Sequence, residues 1–547
     1  MRYIPREMGQ IGTATTSIVK RWREGLGVDI MAATILILIL IQIGQPSSNT
    51  VAAQRSGEAS ITVSIGAAAA AANTGRLLLF VQRVESSGAA PPDAVDANQF
   101  RYDGNAIVGR NVRGLTRGMR IRLDGDDDAY PVPLSELLPG DYFLQAVLDR
   151  DRSYPYSGRG GGDVVSDVVR VTIPSAAPPV LTLEQVVPET DAWQYPGGPA
   201  MFSPEEAPMV HARVTPFSMV STSLSAFRGQ AVRMQGLVLT PEAYDTGNDR
   251  YPVVYFTHGF TAGLTFLQDA AVAIVRQTRA GRLPPLIWVL LDGSLPTGTH
   301  EFADSVNNGP WGTALAAELI PHLESTYRMD GTSAGRFLMG HSSGGWAALW
   351  LQMSYPRVFG GAWATAPDFT DFTNFWGVDI TRPGAVMTSI SFEGPEEVLG
   401  EYGGQMASFE WVFSPRDAAG RPRALYDRTT RAIDAEVAAH WRRHWDLSQI
   451  VRTRWTDLAA DLGGRIRVIV GEEDEAGLDE AARRLEAAFA AVGGRASFTY
   501  VPDKGHGDLY SEGDERMALR RKIAWEMWRT ARPASPLTDP VAAGLMR

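Results

Sequence analysis

Residues 338–350, LMGHSSGGWAALW, run an apolar stretch into Gly340-His341-Ser342-Ser343-Gly344 and out into a segment rich in small residues. The preceding "RFLM" reads as strand and the following "GGWAALWLQM" as helix. Gly-X-Ser-X-Gly between a strand and a helix is the pattern of a sharp turn, in which the flanking glycines let the serine stand exposed at the helix N-terminus. The pentapeptide alone is common by chance. Its strand-helix setting makes Ser342 a candidate nucleophile.

A serine hydroxyl is a weak nucleophile and needs a base within hydrogen-bond reach. Of the eight histidines, His506 in "VPDKGHGD" lies in a glycine-flanked loop after the last clear strand, although an ordinary surface histidine would fit the same place. The imidazole in turn needs a carboxylate to hold its tautomer. "VIVGEEDEAGL" offers Glu472, Glu473, Asp474 and Glu475 just after a strand, and Asp474 is preferred among them. The loop is better determined than the residue, since a run of acids also suits a solvated turn. His440 and His444 share a helix face in "HWRRHW" without an acidic ligand at a zinc-site spacing, and read as a structural face.

Around this stretch, from about residue 218, short apolar runs ending in polar or glycine residues alternate with helical segments: "YPVVYFTHGF", "PLIWVLLDG", "GAWATAPDF", "RIRVIVGEED" and "ASFTYVPDKGHG". That rhythm implies a mostly parallel sheet covered on both faces, with ligands bound beyond the carboxyl ends of the strands. Residues 57–180 differ. "ASITVSI", "GRLLLFVQ", "GDYFLQAVLD" and "DVVSDVVRVTIP" alternate with period two between Gly, Pro, Asp and Asn clusters, the signature of a small β-sandwich. Residues 181–217 follow the proline-rich "PSAAPPV" and read as a linker; with that boundary, residues 185–547 are expected to fold alone. Residues 531–547 read as a tail.

The chain has 547 residues, a formal net charge of -11 and no cysteine. Its length calls for more than one domain, its charge argues against a nucleic-acid binder, and disulfides are excluded. Residues 1–53 carry Arg2, Arg6, Lys20, Arg21 and Arg23, then "IMAATILILILIQIG", then Val51-Ala52-Ala53. Basic flank, short apolar run and small residues before Gln54 are the parts of a secretory signal with a long leading region, so an exported, periplasmic or extracellular protein is expected; an uncleaved anchor is the alternative, and the only membrane contact foreseen. "LDGDDDAY" lacks the glycine and distal glutamate of a calcium loop, and "SGRGGGD" lacks the Lys-Ser of a phosphate loop. Neither a metal nor an organic cofactor is expected.

Together, "YPVVYFTHGF", "GHSSGGWAALWLQMSYPRVFGGAWATAPD", "VIVGEED" and "GHGD" resemble the putative-esterase family of α/β-hydrolases, the group of esterase D, enterochelin esterases, feruloyl esterases and mycolyltransferases. The resemblance covers about residues 218–530 and implies an α/β-hydrolase fold behind the β-sandwich, with chain order serine, acid, histidine. Gly471 and Asp474 match the family's Gly-X-X-Asp. His258-Gly259-Phe260 stands where the family places an oxyanion amide, which implies that the backbone N–H groups of Phe260 and Ser343 bind the oxyanion. Two features depart from a minimal member: the β domain, and an insertion at about 370–460 rich in Trp, Phe, Tyr and Arg, expected either to cap the site or simply to pack. Asn307, Asn308 and Trp311 in "HEFADSVNNGPWG" are candidate substrate contacts, loop asparagines more often satisfying turns. The function implied is hydrolysis of a small or glycan-linked carboxylic ester through an acyl-enzyme. An acyltransferase and a catalytically silent adhesion protein are the alternatives.

Overall fold

Each apolar run named above is too short for a buried helix and is closed by glycine or polar residues, so extended backbone is its natural state. The computed structural model describes residues 60–546 apart from 87, 98–103, 176, 178, 190–192, 196, 197 and 391. The proposed N-terminal signal lies outside these residues.

One eight-stranded sheet organises the C-terminal part: β1 (Val214–Ser221), β2 (Val232–Leu239), β3 (Val253–Thr257), β4 (Ile287–Leu291), β5 (Arg336–His341), β6 (Gly361–Thr365), β7 (Ile466–Gly471) and β8 (Ser497–Val501). Their spatial order is β1-β2-β4-β3-β5-β6-β7-β8. The pairs β1–β2 and β2–β4 are antiparallel and all others parallel. β3, β4 and β6 are buried from end to end, as strands covered on both faces must be. Helices α1 (Leu264–Arg279), α2 (Ser343–Ser354), α3 (Leu447–Leu462), α4 (Leu478–Ala491) and α5 (Ala518–Ala531) accompany the sheet. Register aligns the strand ends: Thr257 pairs with Gly340, His341 with Thr365, and Gly471 with Val501. The segments after β3, β5, β6, β7 and β8 therefore emerge along one edge.

The N-terminal part is two β-sheets. Ile61–Ile65 is central in a three-stranded sheet between Arg120–Leu123 and Val180–Leu183. The larger sheet is built on Thr74–Arg83, Ala106–Arg113 and Gly140–Asp149. Alternating residues such as Ile61, Val63, Ile65, Leu77, Leu79, Leu144 and Leu181 share one core between them.

Three boundaries differ from those expected. Within 181–217, Leu181 and Leu183 are buried and their strand pairs in parallel with Ile61–Ile65, so period-two burial outweighs the proline signal. The same stretch supplies helix Ala207–Arg213 and the first residues of β1, which begins at 214 rather than 218. The tail is docked: Arg532 bonds Asp330 at 2.7 and 2.8 Å, and the buried Asp539 pairs with Arg521. Among the described residues no helix is long and apolar enough to cross a membrane.

The insertion's aromatic residues pack inward. Phe372, Phe375, Phe409, Phe413 and Trp441 are buried in the core that includes Trp346 of α2. Its outer edge joins the β domain, since Val398 and Leu399 share a cluster with Leu78, Phe80, Phe143 and Tyr154. Arg76, buried in the β domain, donates to Val398 O at 2.7 Å, and Arg152 pairs with Glu401. The two parts thus share a core, contrary to the expectation of independent folding. Residues 185–547 alone should expose this cluster and aggregate or bind a hydrophobic dye. Size-exclusion chromatography with dye fluorescence checks this; a monodisperse, dye-silent fragment contradicts it.

Candidate active site

At the end of β5 the chain reverses through Ser342, whose φ of 58° and ψ of -127° lie in a region costly for a residue with a side chain. The reversal requires bare glycines. A Cβ on Gly340 would sit 2.0 Å from Gly344 O, and one on Gly344 would sit 2.2 Å from Thr257 O. The elbow is thereby pressed against the end of β3, and Gly259 lies where a Cβ would approach Ser342 Cβ at 3.2 Å. Loop 258–260 consequently borders the serine. His258 fixes that loop: its Nε2 accepts the Gly293 N–H at 2.7 Å, which leaves Nδ1–H to donate to Gly259 O at 2.8 Å.

β7 and β8 deliver the other two candidates. Asp474 and His506 are buried, with Asp474 Oδ2 2.9 Å from His506 Nδ1. The other Asp474 oxygen accepts the Ala476 N–H at 3.0 Å, fixing the carboxylate from behind. Glu472, Glu473 and Glu475 are exposed, and of these Glu475 accepts the His506 backbone N–H at 2.9 Å. Among the four acids, then, Asp474 holds the ring and Glu475 holds its backbone. Burial pulls the His506 imidazole down, but the Asp474 hydrogen bond and charge, with Asp368 and Glu475, more than reverse this and the net shift is upward. His341, whose ring centroid is 4.6 Å from that of His506, is driven well below the usual range by burial and by His506, and stays neutral.

The acid that sequence reasoning missed is Asp368, three residues beyond β6. Ser342 Oγ donates to Asp368 Oδ1 at 3.1 Å and Ser343 Oγ to Oδ2 at 2.6 Å. The Asp368 N–H also donates to Ser342 O at 3.1 Å. Burial pushes its carboxyl up to about 6 against the pull of those hydroxyls and of His506. Among the described residues no hydrogen bond joins Ser342 Oγ to His506, so the serine rests on Asp368 with the histidine close by. The signal was present in "ATAPDF", a polar residue just after a buried strand, but it matched no pattern of spacing.

The candidate substrate contacts Asn307, Asn308 and Trp311 are all buried. Asn307 Nδ2 donates to Ser414 O at 2.8 Å, tying the loop to the insertion, and Trp311 Nε1 donates to Asn308 O at 3.0 Å. Trp311 stacks on His300 with centroids 3.7 Å apart, and burial drives that imidazole down to about 3. Burial, with Asp368 nearby, pushes the neighbouring Glu301 carboxyl well above its usual range. His440 and His444 lie ring to ring, 4.5 Å apart, away from these groups.

Residues 231–488 match the profile of the family described as putative esterase. This region resembles the putative esterases. Esterase Rv1288 of Mycobacterium tuberculosis (strain ATCC 25618 / H37Rv) is 34% identical over 127 residues, which are 23% of this chain and 27% of that one. The match therefore spans about a quarter of that relative's length. Among solved structures, a ferulic acid esterase is 16% identical, covering 58% of this chain and 98% of its own at a TM-score of 0.39. An S-formylglutathione hydrolase from Agrobacterium tumefaciens, also 16% identical, covers 58% and 95% at 0.37.

The geometry ranks the acids. Asp474→Asn should lower the turnover number on a soluble ester by about 10⁴, the loss expected when an imidazole is left in the wrong tautomer. Glu472→Gln and Glu473→Gln, on exposed side chains, should each change it by less than about tenfold. Steady-state kinetics of the three variants decides; the reverse ranking moves the role to a glutamate.

Proposed function

We propose that the protein is a serine hydrolase that cleaves carboxylic esters through an acyl-enzyme. The observation that carries this reading is the buried 2.9 Å His506–Asp474 hydrogen bond beside a serine held at positive φ. Ser342 Oγ leaves Asp368 by rotating about its Cα–Cβ bond and turns toward His506, which takes its proton as the oxygen attacks the ester carbonyl. Asp474 keeps Nδ1 protonated and stabilises the imidazolium that forms. The oxyanion is received by the N–H groups of Phe260 and Ser343, each such donor being worth about 2.7–4 kcal/mol of barrier. His506 then protonates the departing alcohol, and water attacks the acyl-enzyme by the same route in reverse.

Asp368 gives the cycle a resting position. As a carboxylate it accepts from both serines, which holds Ser342 in one rotamer and lets the hydroxyl swing only when substrate reaches it. The reading of export rests on the N-terminal sequence alone, and the esters proposed are small or glycan-linked.

Ser342→Ala should abolish labelling by a fluorophosphonate probe and hydrolysis of a p-nitrophenyl ester while leaving thermal unfolding nearly unchanged. Turnover at the unaltered rate in that variant ends the assignment. The pH profile gives a second check. Only neutral His506 accepts a proton, and its shift is upward, so kcat/KM should fall with decreasing pH along a limb centred above the ordinary histidine value of about 6.5. In Asp474→Asn the residual activity should show that limb at lower pH, because the group that raises the imidazole is gone. An unmoved limb would assign it to another group.

A further inference from the structure

We infer that Tyr156, which belongs to the N-terminal β domain, is a positioning residue for the oxyanion loop of the hydrolase domain. The inference rests on the proposed role of the Phe260 N–H as an oxyanion donor.

Tyr156 sits in the helical turn Tyr154–Ser157, on the connection between strands Gly140–Asp149 and Val164–Val165. That connection is held from behind. Asp149 accepts the backbone N–H groups of Arg152 at 2.8 Å and Tyr154 at 3.2 Å, and Tyr154 stacks on Phe80 of the β core with centroids 5.3 Å apart. It is also held from the side, through the Arg152–Glu401 ion pair. The turn is thus fixed to both domains before Tyr156 makes any contact of its own.

The Tyr156 side chain then meets three segments of the hydrolase domain. Its ring stands edge-on to Phe260, centroids 5.4 Å apart and planes at 90°. Its hydroxyl lies 3.1 Å from Pro296 O and 3.2 Å from Gly403 O, so one proton is shared between two carbonyls. Pro296 belongs to the hairpin formed by Ser294–Leu295 and Gly298–Thr299, and Gly403 to the insertion. Burial, aided by the Glu396 and Asp149 charges, pushes the phenol above its usual range, which keeps it a donor over the whole working range of pH.

What this does for chemistry follows from tolerance. An oxyanion donor must lie about 2.7–3.1 Å from the developing charge. A misplacement of about 1 Å costs on the order of a hundredfold in rate. Phe260 is followed by Thr261 at a φ of 64°, so the loop turns sharply right after the donor. A rigid aromatic edge against the Phe260 ring restrains that turn. The β domain therefore completes the active site without supplying a reacting group.

The test uses the full-length protein with Tyr156→Phe, which keeps the ring and loses the shared proton, and Tyr156→Leu, which also loses the aromatic edge. Kinetics on a p-nitrophenyl ester and binding of a trifluoromethyl ketone, which forms a tetrahedral adduct on the serine, are measured together. The turnover number should fall about tenfold in Tyr156→Phe and about a hundredfold in Tyr156→Leu, on the scale of a misplaced donor. Adduct affinity should fall in parallel, while KM and the acid limb of the pH profile stay in place. A merely structural role would not move rate and adduct affinity together at constant KM. Turnover and adduct affinity within about twofold of the parent in both variants overturn the proposal, as does a loss confined to KM. Should Tyr156→Leu fail to fold, Tyr156→Phe decides by the same criteria. Fluorophosphonate labelling of the parent separates this result from the broader one: a labelled parent with unaffected variants overturns only the role of Tyr156, and an unlabelled, inactive parent overturns the hydrolase reading with it.

Discussion

The reversal of the backbone at Ser342 is the constraint on which the site depends. A residue with a side chain at φ 58° persists only where its surroundings force it there. The force comes from three sides: Gly340 and Gly344 in contact, the end of β3 against Gly344, and Thr365 O accepting the Ser342 N–H at 3.1 Å. Each is available because β5 lies between β3 and β6 in parallel register. Sheet order, strand register and the absence of two side chains together determine where one hydroxyl stands.

Electrostatics at that point are arranged in opposition. Asp368, His506 and Asp474 are all buried, and burial penalises every charged form. A carboxylate at hydrogen-bond distance turns the net shift of the histidine upward, whereas at Asp368 burial outweighs the serine hydroxyls and pushes the carboxyl up to about 6. The resting hydroxyl rests on one carboxyl while the imidazole rests on another. Such an arrangement holds the candidate nucleophile on Asp368 and its candidate base on Asp474.

The domains are not a catalytic unit with an accessory attached. The insertion between β6 and β7 packs its aromatic residues into the core of the eight-stranded sheet on one side and presents Val398 and Leu399 to the β domain on the other. Through Asn307, Ser305 and Thr299 it also holds the loop that follows β4. The insertion thus serves as the joint between the two parts.

Much of this was legible in the chain. Short apolar runs closed by glycine and polar residues favour extended backbone, and their alternation with helical segments calls for a parallel sheet. Gly-X-Ser-X-Gly between strand and helix points to Ser342, and a glycine-flanked His506 after the last strand points to its partner, because those backbones need small neighbours that leave a mark in sequence. The choice of Asp474 over Glu472 and Glu473 was weaker, since all four acids suit a turn; only the fold buries one of them against an imidazole. Asp368 matches no pattern of spacing, being brought to Ser342 by strand adjacency across 26 positions. Proline content is a local signal and points to a linker, whereas Val180–Leu183 becomes a strand only by finding Ile61–Ile65. Local backbone demands are written in neighbouring residues. Which distant side chains share a buried space is decided by packing, and no single segment carries that information.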